Sequence, residues 1–269
     1  MNKKIPFFII VVLTAVLVIS CGTNRKDDPN YIKVGVQVGP EFTVAQEAQR
    51  IAKEKYGLEV ELIEFNDYIM PNTALKEGDI DANVFQHKPF LEDQAKRRGY
   101  KFAVVGNTFI YPLAGYSKKI KSLDELQSES TIVIPNDATN GGRALLLLQK
   151  EGLIQLKDNV GYSPRVIDIT ENPKSLKIVE LEAPLLSRML DDSNVSIAII
   201  NNTFASLAGL TLDDSLFAED KDSPYVNVIV TKEEDKDNDK IKRFVQAFQS
   251  EEVAKVAEKE FKGGAVKGW

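Results

Sequence analysis

The 269-residue sequence has one cysteine, Cys21, and one histidine, His87. A single cysteine excludes an internal disulfide. One histidine beside scattered carboxylates gives no recognisable metal-ligand spacing. The sequence also has no G-x-S-x-G nucleophile motif and no GxxxxGK[ST] phosphate loop. These absences argue against a nucleophilic triad and a metal centre, and we predict no cofactor, no metal and no catalytic residue.

Long basic blocks are also missing, apart from the short run Lys96-Arg97-Arg98. The chain carries a net charge of −6, and removing residues 1–20, which hold two lysines, makes it −8. An acidic chain without a basic surface has little affinity for phosphate backbones. Nucleic acid is therefore not a predicted partner, while 43% hydrophobic residues fit an ordinary globular protein.

The longest uncharged apolar run, residues 5–19, has 15 residues, whereas a membrane-spanning helix needs about 20. It follows the basic head Asn2-Lys3-Lys4, which indicates an export signal and makes a transmembrane anchor the less favoured alternative. Val18-Ile19-Ser20-Cys21 resembles the lipobox of bacterial lipoproteins, which implies a lipid on Cys21. We predict a signal peptide at 1–20 and a lipid anchor with a polar tether at 21–31.

From residue 32 onward, β-branched strand patterns alternate with helical ones. The predicted strands are 32–38, 58–62, 80–85 and 102–110, then 131–134, 165–170, 176–181, 195–200 and 225–230. Helices are predicted between them, with Gly78 and Gly99 closing two of the first set, and two amphipathic helices end the chain at 238–248 and 251–261. This order predicts an α/β fold with mainly parallel sheets, in two sets that suggest two lobes.

In such folds ligands bind beyond the carboxyl ends of the strands. The segment 136–143 follows a strand and opens a helix, so its backbone N–H groups could hold an anion beside Arg143, whose guanidinium matches a carboxylate through two hydrogen bonds. Asn201 directly follows an apolar strand, and Asn227 lies within one. Two alternatives remain open: Arg143 could point into solvent, and the two amides could hydrogen-bond only to neighbouring backbone.

Three flat side chains, Tyr68, Phe85 and His87, follow other strands. They could wall an apolar slot suited to a sulfur-containing group, although aromatic residues at strand ends more often belong to the core. His87 as a general base is the weaker interpretation, because no serine or cysteine partner is evident.

Several longer motifs, in order, resemble the methionine-binding lipoproteins of bacterial methionine ABC importers, an NlpA-type lipoprotein family. They are Phe65-Asn-Asp-Tyr68, Gly78-Asp-Ile-Asp-Ala-Asn83, Phe85-Gln-His-Lys-Pro89, Tyr111-Pro-Leu-Ala-Gly-Tyr116, Ile134-Pro-Asn-Asp137, Ser223-Pro-Tyr-Val-Asn227 and Gly263-Gly-Ala-Val-Lys-Gly-Trp269. The resemblance covers residues 32–269. Phe90 and Phe204 depart from it, since the family often has Tyr there.

The resemblance implies a two-lobed periplasmic-binding-protein fold, type II-like, with two hinge crossovers near 111–116 and 225–227. The implied domains are residues 32–114 plus 227–269 for lobe 1 and 115–226 for lobe 2. The implied ligand-binding residues are Arg143 for the carboxylate, Asn201 and Asn227 for the polar end, and Tyr68, Phe85 and His87 around the thioether, with Asn72 and Asn140 as weaker candidates.

The function implied is a lipid-anchored, extracytoplasmic receptor that is not an enzyme. Its implied partners are L-methionine or D-methionine, an importer permease with its ATPase subunit, and the membrane through Cys21. The alternatives are a same-fold receptor for a Met-containing dipeptide or another amino acid, and a surface lipoprotein with an interaction role. An enzyme is the most distant alternative.

Overall fold

The protein, seen in a computed structural model, is described here for residues 28–220 and 223–269. In chain order its strands are β1 (Tyr31–Gln37), β2 (Glu59–Phe65), β3 (Ala82–His87), β4 (Phe102–Ile110), β5 (Ala114–Tyr116), β6 (Thr131–Pro135), β7 (Gln155–Leu156), β8 (Ile169–Glu171), β9 (Lys177–Leu181), β10 (Val195–Ile200), β11 (Ser215–Ala218), β12 (Val226–Lys232) and β13 (Val266–Lys267).

The helices are α1 (Pro40–Tyr56), α2 (Met70–Glu77), α3 (Lys88–Arg98), α4 (Ala138–Lys150), α5 (Asn202–Leu207), α6 (Asp239–Phe248) and α7 (Glu251–Glu260), with a longer 3₁₀ segment at Ala183–Asp191. Prolines occupy the first turns of α1, α2 and α3, where a missing N–H costs nothing. Each of these helices ends at a glycine of positive φ, Gly57, Gly78 and Gly99. The last two were the predicted helix ends.

The first sheet has the strand order β13-β4-β12-β3-β1-β2, which places β2 at an edge. Strands β1, β2 and β3 are parallel neighbours. Strand β12 lies antiparallel between β3 and β4, so β3 and β4 run in the same direction without being neighbours. The mainly parallel strand direction is therefore confirmed. The hydrogen-bonded pairing is mixed, because β12, which the chain forms on returning from the other lobe, runs antiparallel to both of its neighbours.

The second sheet has the order β11-β5-β10-β6-β9, with the apolar strand β10 at its centre. Strands β6, β9 and β10 are parallel, and β5, which arrives directly from β4 of the first sheet, runs against them. The chain thus passes between the sheets through 111–113 and returns before β12. These two sheets with their helices form the two lobes of the predicted α/β fold.

Each lobe has its own core. In the first, Val44 and Ile51 of α1 and Phe244 of α6 pack on β1 beneath the sheet. In the second, Leu145 and Leu148 of α4 pack on β6 and β10. Apolar residues spaced by three or four along these helices place one face of each against its sheet. Because α4 is anchored in this way, the side chains of its first turn are held in fixed positions at the strand ends.

Two sequence predictions need correction. Part of the segment 165–170 is not extended, because Val166–Asp168 forms a 3₁₀ turn closed by a hydrogen bond from the Arg165 N–H to the Asp168 carboxylate (2.9 Å). Tyr31, which we assigned to the tether, is buried and begins β1, since its backbone pairs with β2. The predicted signal peptide, Cys21 and the tether up to residue 27 lie outside the described residues.

Candidate ligand-binding site

A small cavity lies where the carboxyl ends of β3 and β10 meet the start of α4. Both lobes contribute to its wall, which consists of Tyr68, Phe85, Gln86, His87, Phe90, Tyr111, Asn140, Arg143, Asn201, Asn202, Thr203 and Asn227. The site is therefore built from strand ends and helix starts, where the sequence indicated it would be.

Aromatic rings form one side of the cavity. Tyr68 lies 6.1 Å from Phe85 and 6.1 Å from Phe90, and Phe85 meets Phe90 edge to face. From the other lobe, Phe204 packs on Tyr68 with ring centroids 5.1 Å apart. Such offset and edge contacts suit the quadrupoles of the rings. The result is an apolar wall that suits an apolar or thioether side chain.

His87 belongs to this wall, and both of its ring nitrogens are engaged. Nδ1 accepts a hydrogen bond from the Phe90 N–H (3.1 Å), so Nε2 carries the proton and donates to Oδ1 of Asn140 (3.1 Å). Burial, followed by the charge of Arg143, lowers the pKa of His87 to about 3. The imidazole is therefore neutral near pH 7 and has no free nitrogen with which to act as a base.

Amides form the opposite side. Asn140 Oδ1 also accepts from Nδ2 of Asn201 (2.8 Å), and Nδ2 of Asn140 donates to Asp137 (3.0 Å), the N-cap residue of α4. Among the described residues, Oδ1 of Asn201 is buried without a hydrogen-bond partner. A buried acceptor without a donor is costly, so this oxygen is a ready partner for a ligand N–H group. Asn227, paired with His87 across β12 and β3, completes this side.

Arg143 supplies the only permanent charge in the cavity wall. Its Nε donates to Glu219 (2.7 Å), its Nη2 donates to Glu219 and to the Tyr111 carbonyl (2.9 Å), and its guanidinium lies 4.3 Å from the centre of the Tyr225 ring. Nη1 has no hydrogen-bond partner among the described residues. The two parallel bonds to a ligand carboxylate that the sequence suggested are thus not both free, because Glu219 holds that edge.

One predicted site residue is displaced. Asn72 does not line the cavity: it is buried behind Gln86, exchanging hydrogen bonds with it (2.9 and 2.8 Å) and accepting one from Asn83 (3.0 Å). Its position one turn into α2 turns its amide toward β3, where buried amides satisfy one another. The other seven predicted residues, Tyr68, Phe85, His87, Asn140, Arg143, Asn201 and Asn227, are brought together in the wall.

Five wall residues were not among the predictions: Gln86, Phe90, Tyr111, Asn202 and Thr203. Gln86, Tyr111 and Asn202 lie within two residues of a strand end, whereas Phe90 and Thr203 lie three residues beyond one. No local sequence signal distinguishes Glu219, which lies behind Arg143 in an acidic stretch.

The lobes also meet beside the cavity, along a seam formed by α5 and the start of α1. The Thr203 hydroxyl donates to the carboxyl of Glu41, and Nδ2 of Asn202 donates to the Gly264 carbonyl (2.9 Å). Gly39, at φ +85°, has no room for a Cβ, which would come within 2.5 Å of Leu207. Burial raises the pKa of Glu41 to about 8. Its carboxyl is therefore mostly protonated near pH 7.

Residues 28–220 and 223–269 contain neither a metal-binding cluster of acidic, histidine and cysteine side chains nor a membrane-spanning helix. In that part of the chain no cluster of three or more His, Cys, Asp or Glu side chains could hold a metal ion. No helix there has the length and apolar character needed to span a membrane.

A cavity between two α/β lobes, with an aromatic wall on one side and amides with a guanidinium on the other, defines a two-lobed substrate-binding protein. The family model of the NlpA lipoproteins matches residues 32–269. The chain belongs to the NlpA lipoprotein family.

Known relatives agree with this assignment. The D-methionine-binding lipoprotein MetQ of Escherichia coli K12 is 64% identical over 252 residues, which cover 93% of each chain. The probable D-methionine-binding lipoprotein MetQ of Haemophilus influenzae is 50% identical over 275 residues, covering both chains fully. The fold resembles the crystal structure of the methionine-binding protein MetQ, with a TM-score of 0.89, 65% identity and coverage of 90% of this chain and 99% of that one. A nutrient-binding protein from Burkholderia cenocepacia bound to methionine has a TM-score of 0.86, 48% identity and coverage of 88% and 100%.

The state of His87 can be tested by proton NMR, because it is the only histidine. We expect its ring signals to stay constant between pH 5 and 8 in the folded protein, since its pKa is lowered to about 3. In urea the same signals should titrate near the ordinary histidine pKa of about 6.5. A folded-state midpoint above pH 6 would contradict the neutral, doubly bonded imidazole.

Glu41 should make folding stability fall as the pH rises. Its pKa is about 8 when folded and 4.5 in the reference state, so between these values the folded state binds the extra proton. The free energy of unfolding should then decrease by up to about 1.4 kcal/mol per pH unit, an effect that is absent below pH 4.5 and complete above pH 8.

The measurement is urea unfolding at pH 6.5, 7, 7.5 and 8, and the contribution of Glu41 is read from the difference between wild type and Glu41→Gln, since unfolded His87 also titrates at the lower end of this window. Glu41→Gln, which can still accept from Thr203, should flatten the profile and stabilise the protein most at pH 8. Glu54→Gln, an exposed change on the same helix, is the control and should leave the slope intact. Parallel profiles for wild type and Glu41→Gln would count against the buried protonated carboxyl.

Proposed function

We propose that this chain is an extracytoplasmic receptor that captures methionine between its two lobes and delivers it to an ABC importer. The observation that carries the proposal is the division of one enclosed cavity into an aromatic side and a polar side. A free amino acid with an apolar side chain has the same division. The methionine named for the relatives, and bound in the Burkholderia neighbour, supports the choice of side chain.

In this proposal each end of methionine meets a group of opposite character. The carboxylate takes the N–H groups of Arg143 Nη1, the ammonium donates to the unpaired Oδ1 of Asn201, and Asn227 adds a second amide. The thioether lies against Tyr68 and Phe85, since sulfur packs well on aromatic rings. His87 acts as a wall residue, and binding involves no chemical step.

Closure of the lobes would then be stabilised by the ligand. A ligand that contacts both lobes shifts the equilibrium toward the closed state by its differential affinity for it. We propose that residues 32–114 with 227–269 form one moving unit and residues 115–226 the other, with the crossovers at 111–113 and before β12 as hinges. Affinity in the micromolar to nanomolar range corresponds to about −8 to −12 kcal/mol.

The proposal extends to the parts of the chain outside the described residues. Residues 1–20 serve as a signal peptide, and lipid on Cys21 holds the receptor at the extracytoplasmic face of a bacterial membrane. The permease and its ATPase subunit take over the methionine there. The lipoprotein family and the ABC transporter substrate-binding protein among the structural neighbours support this placement.

Methionine binding should depend on Arg143. In Arg143→Ala the carboxylate loses a charge-assisted partner worth roughly 1.5–3 kcal/mol, so calorimetry should give a dissociation constant about 10- to 150-fold higher. Both enantiomers are to be titrated, since relatives are named for D-methionine.

The matched control is Arg97→Ala, which removes an exposed arginine that pairs only with Asp93 on the same helix. It should bind methionine like the wild type. Equal affinity in Arg143→Ala and wild type, with both folded by circular dichroism, would remove Arg143 from the site.

Membrane attachment should depend on Cys21. Lipid chains anchor a protein by their buried CH₂ groups, so Cys21→Ser should move the protein from the membrane pellet to the supernatant after cell fractionation. Its methionine affinity should be unchanged, and Asn24→Ser, in the polar stretch after the cysteine, should remain in the pellet. Cys21→Ser protein that still sediments with membranes would rule out this anchor.

A further inference from the structure

The guanidinium of Arg143 is held by a carboxylate that does not line the cavity. Glu219 accepts from Nε (2.7 Å) and from Nη2, and the Tyr111 carbonyl takes a further Nη2 hydrogen (2.9 Å). The Arg143 side chain is 3% exposed and that of Glu219 is 11% exposed. Side-on pairing of this kind fixes the plane of a guanidinium. Of the five N–H groups, only those on Nη1 have no partner among the described residues.

Glu219 is itself tied to the crossover between the sheets. Its second carboxylate oxygen accepts from the Leu113 N–H (3.0 Å), and its own N–H donates to the Leu113 carbonyl (2.9 Å). Leu113 lies between β4 of one lobe and β5 of the other. On another side of Arg143 lies the ring of Tyr225, which directly precedes β12. Arg143 is therefore positioned by both segments that connect the lobes.

The ion pair between Arg143 and Glu219 also determines the net charge of the site. Arg143 is the only permanently charged residue in the cavity wall. His87 is neutral near pH 7 because its pKa is lowered to about 3, and Glu41 at the seam is mostly protonated because its pKa is raised to about 8. Glu219 therefore cancels the one charge that would otherwise stand alone. A buried site of this kind favours ligands without net charge, since an uncompensated charge is costly to bury.

We propose that Glu219 is a positioning and specificity-determining residue, which leaves only Nη1 of Arg143 for the ligand and makes the site select zwitterions over anions of the same shape. The inference deepens the proposed function and rests on it. Arg143 without Glu219 would be a site for carboxylate anions in general. Because Glu219 neutralises Arg143, the ligand has to carry its own positive charge, and the free Oδ1 of Asn201 accepts a hydrogen bond from that charged group.

The test compares methionine with 2-hydroxy-4-(methylthio)butanoate, an anion of nearly the same shape in which a hydroxyl replaces the ammonium. Calorimetry at pH 7 on the full chain gives the ratio of the two dissociation constants. In the wild type we expect methionine to bind at least tenfold more tightly. In Glu219→Gln, which can still accept from Leu113, the ratio should fall at least tenfold because the site gains one positive charge.

Two further variants distinguish the effect of the Glu219 charge on ligand selection from a general effect on the structure. Glu219→Asp keeps the charge, so it should retain the wild-type ratio even if both ligands bind more weakly. Asp81→Asn removes the acid of another poorly exposed ion pair, with Lys240 (3.0 Å), at the opposite end of β3 from the cavity. It should lower stability in urea without changing the ratio.

The outcomes are distinct. A ratio that is unchanged in Glu219→Gln, with both ligands weakened equally, would reduce Glu219 to a structural role and overturn the inference while the proposed function stands. If Glu219→Gln does not fold, the wild type alone decides: a hydroxy acid that binds as tightly as methionine overturns the inference. A wild type that binds neither compound refutes the proposed function itself, and the inference with it.

Discussion

The hydrogen bond between His87 and Asn140 is the contact on which the geometry of the cavity depends. It joins the end of β3 in one lobe to the first turn of α4 in the other. Asn140 also holds Asn201, and Asp137 fixes Asn140 in turn. Each of these groups is largely removed from water, where a missing partner costs about 1–3 kcal/mol. The network therefore leaves one buried acceptor, Oδ1 of Asn201, without a partner among the described residues.

The two segments in which the chain passes between the lobes fix the orientation of Arg143, at the charged end of the cavity. The Tyr111 carbonyl and the Tyr225 ring contact Arg143 directly, and the Leu113 backbone holds it through Glu219. All three residues lie in the segments that connect the sheets. A ligand that binds Arg143 thus binds a residue whose orientation depends on the hinges. Any rotation of one lobe against the other has to alter these contacts. This gives the ligand a physical means to favour one lobe arrangement over another.

Part of the cavity wall follows from a local rule. Side chains just beyond strand ends converge, and this rule brought His87, Arg143 and Asn201 to one cavity. Asn72, implied only by the family resemblance, lies outside the wall because its direction depends on Asn83 and Gln86 in a different element. Contacts between distant segments leave no periodic signal.

The same limit applies to the sheets. Alternating strands and helices predicted a common strand direction, which β1 to β4 follow. The insertion of β12 between β3 and β4 depends on the return of the chain from the other lobe. Glu219 was missed for the same reason: it lies 76 positions from Arg143. Around the cavity Arg143 is paired with Glu219, His87 is neutral and Glu41 is mostly protonated near pH 7, while Asn140, Asn201 and Asn227 present oriented dipoles. Such a wall stabilises separated charges of opposite sign within one ligand without bearing net charge itself.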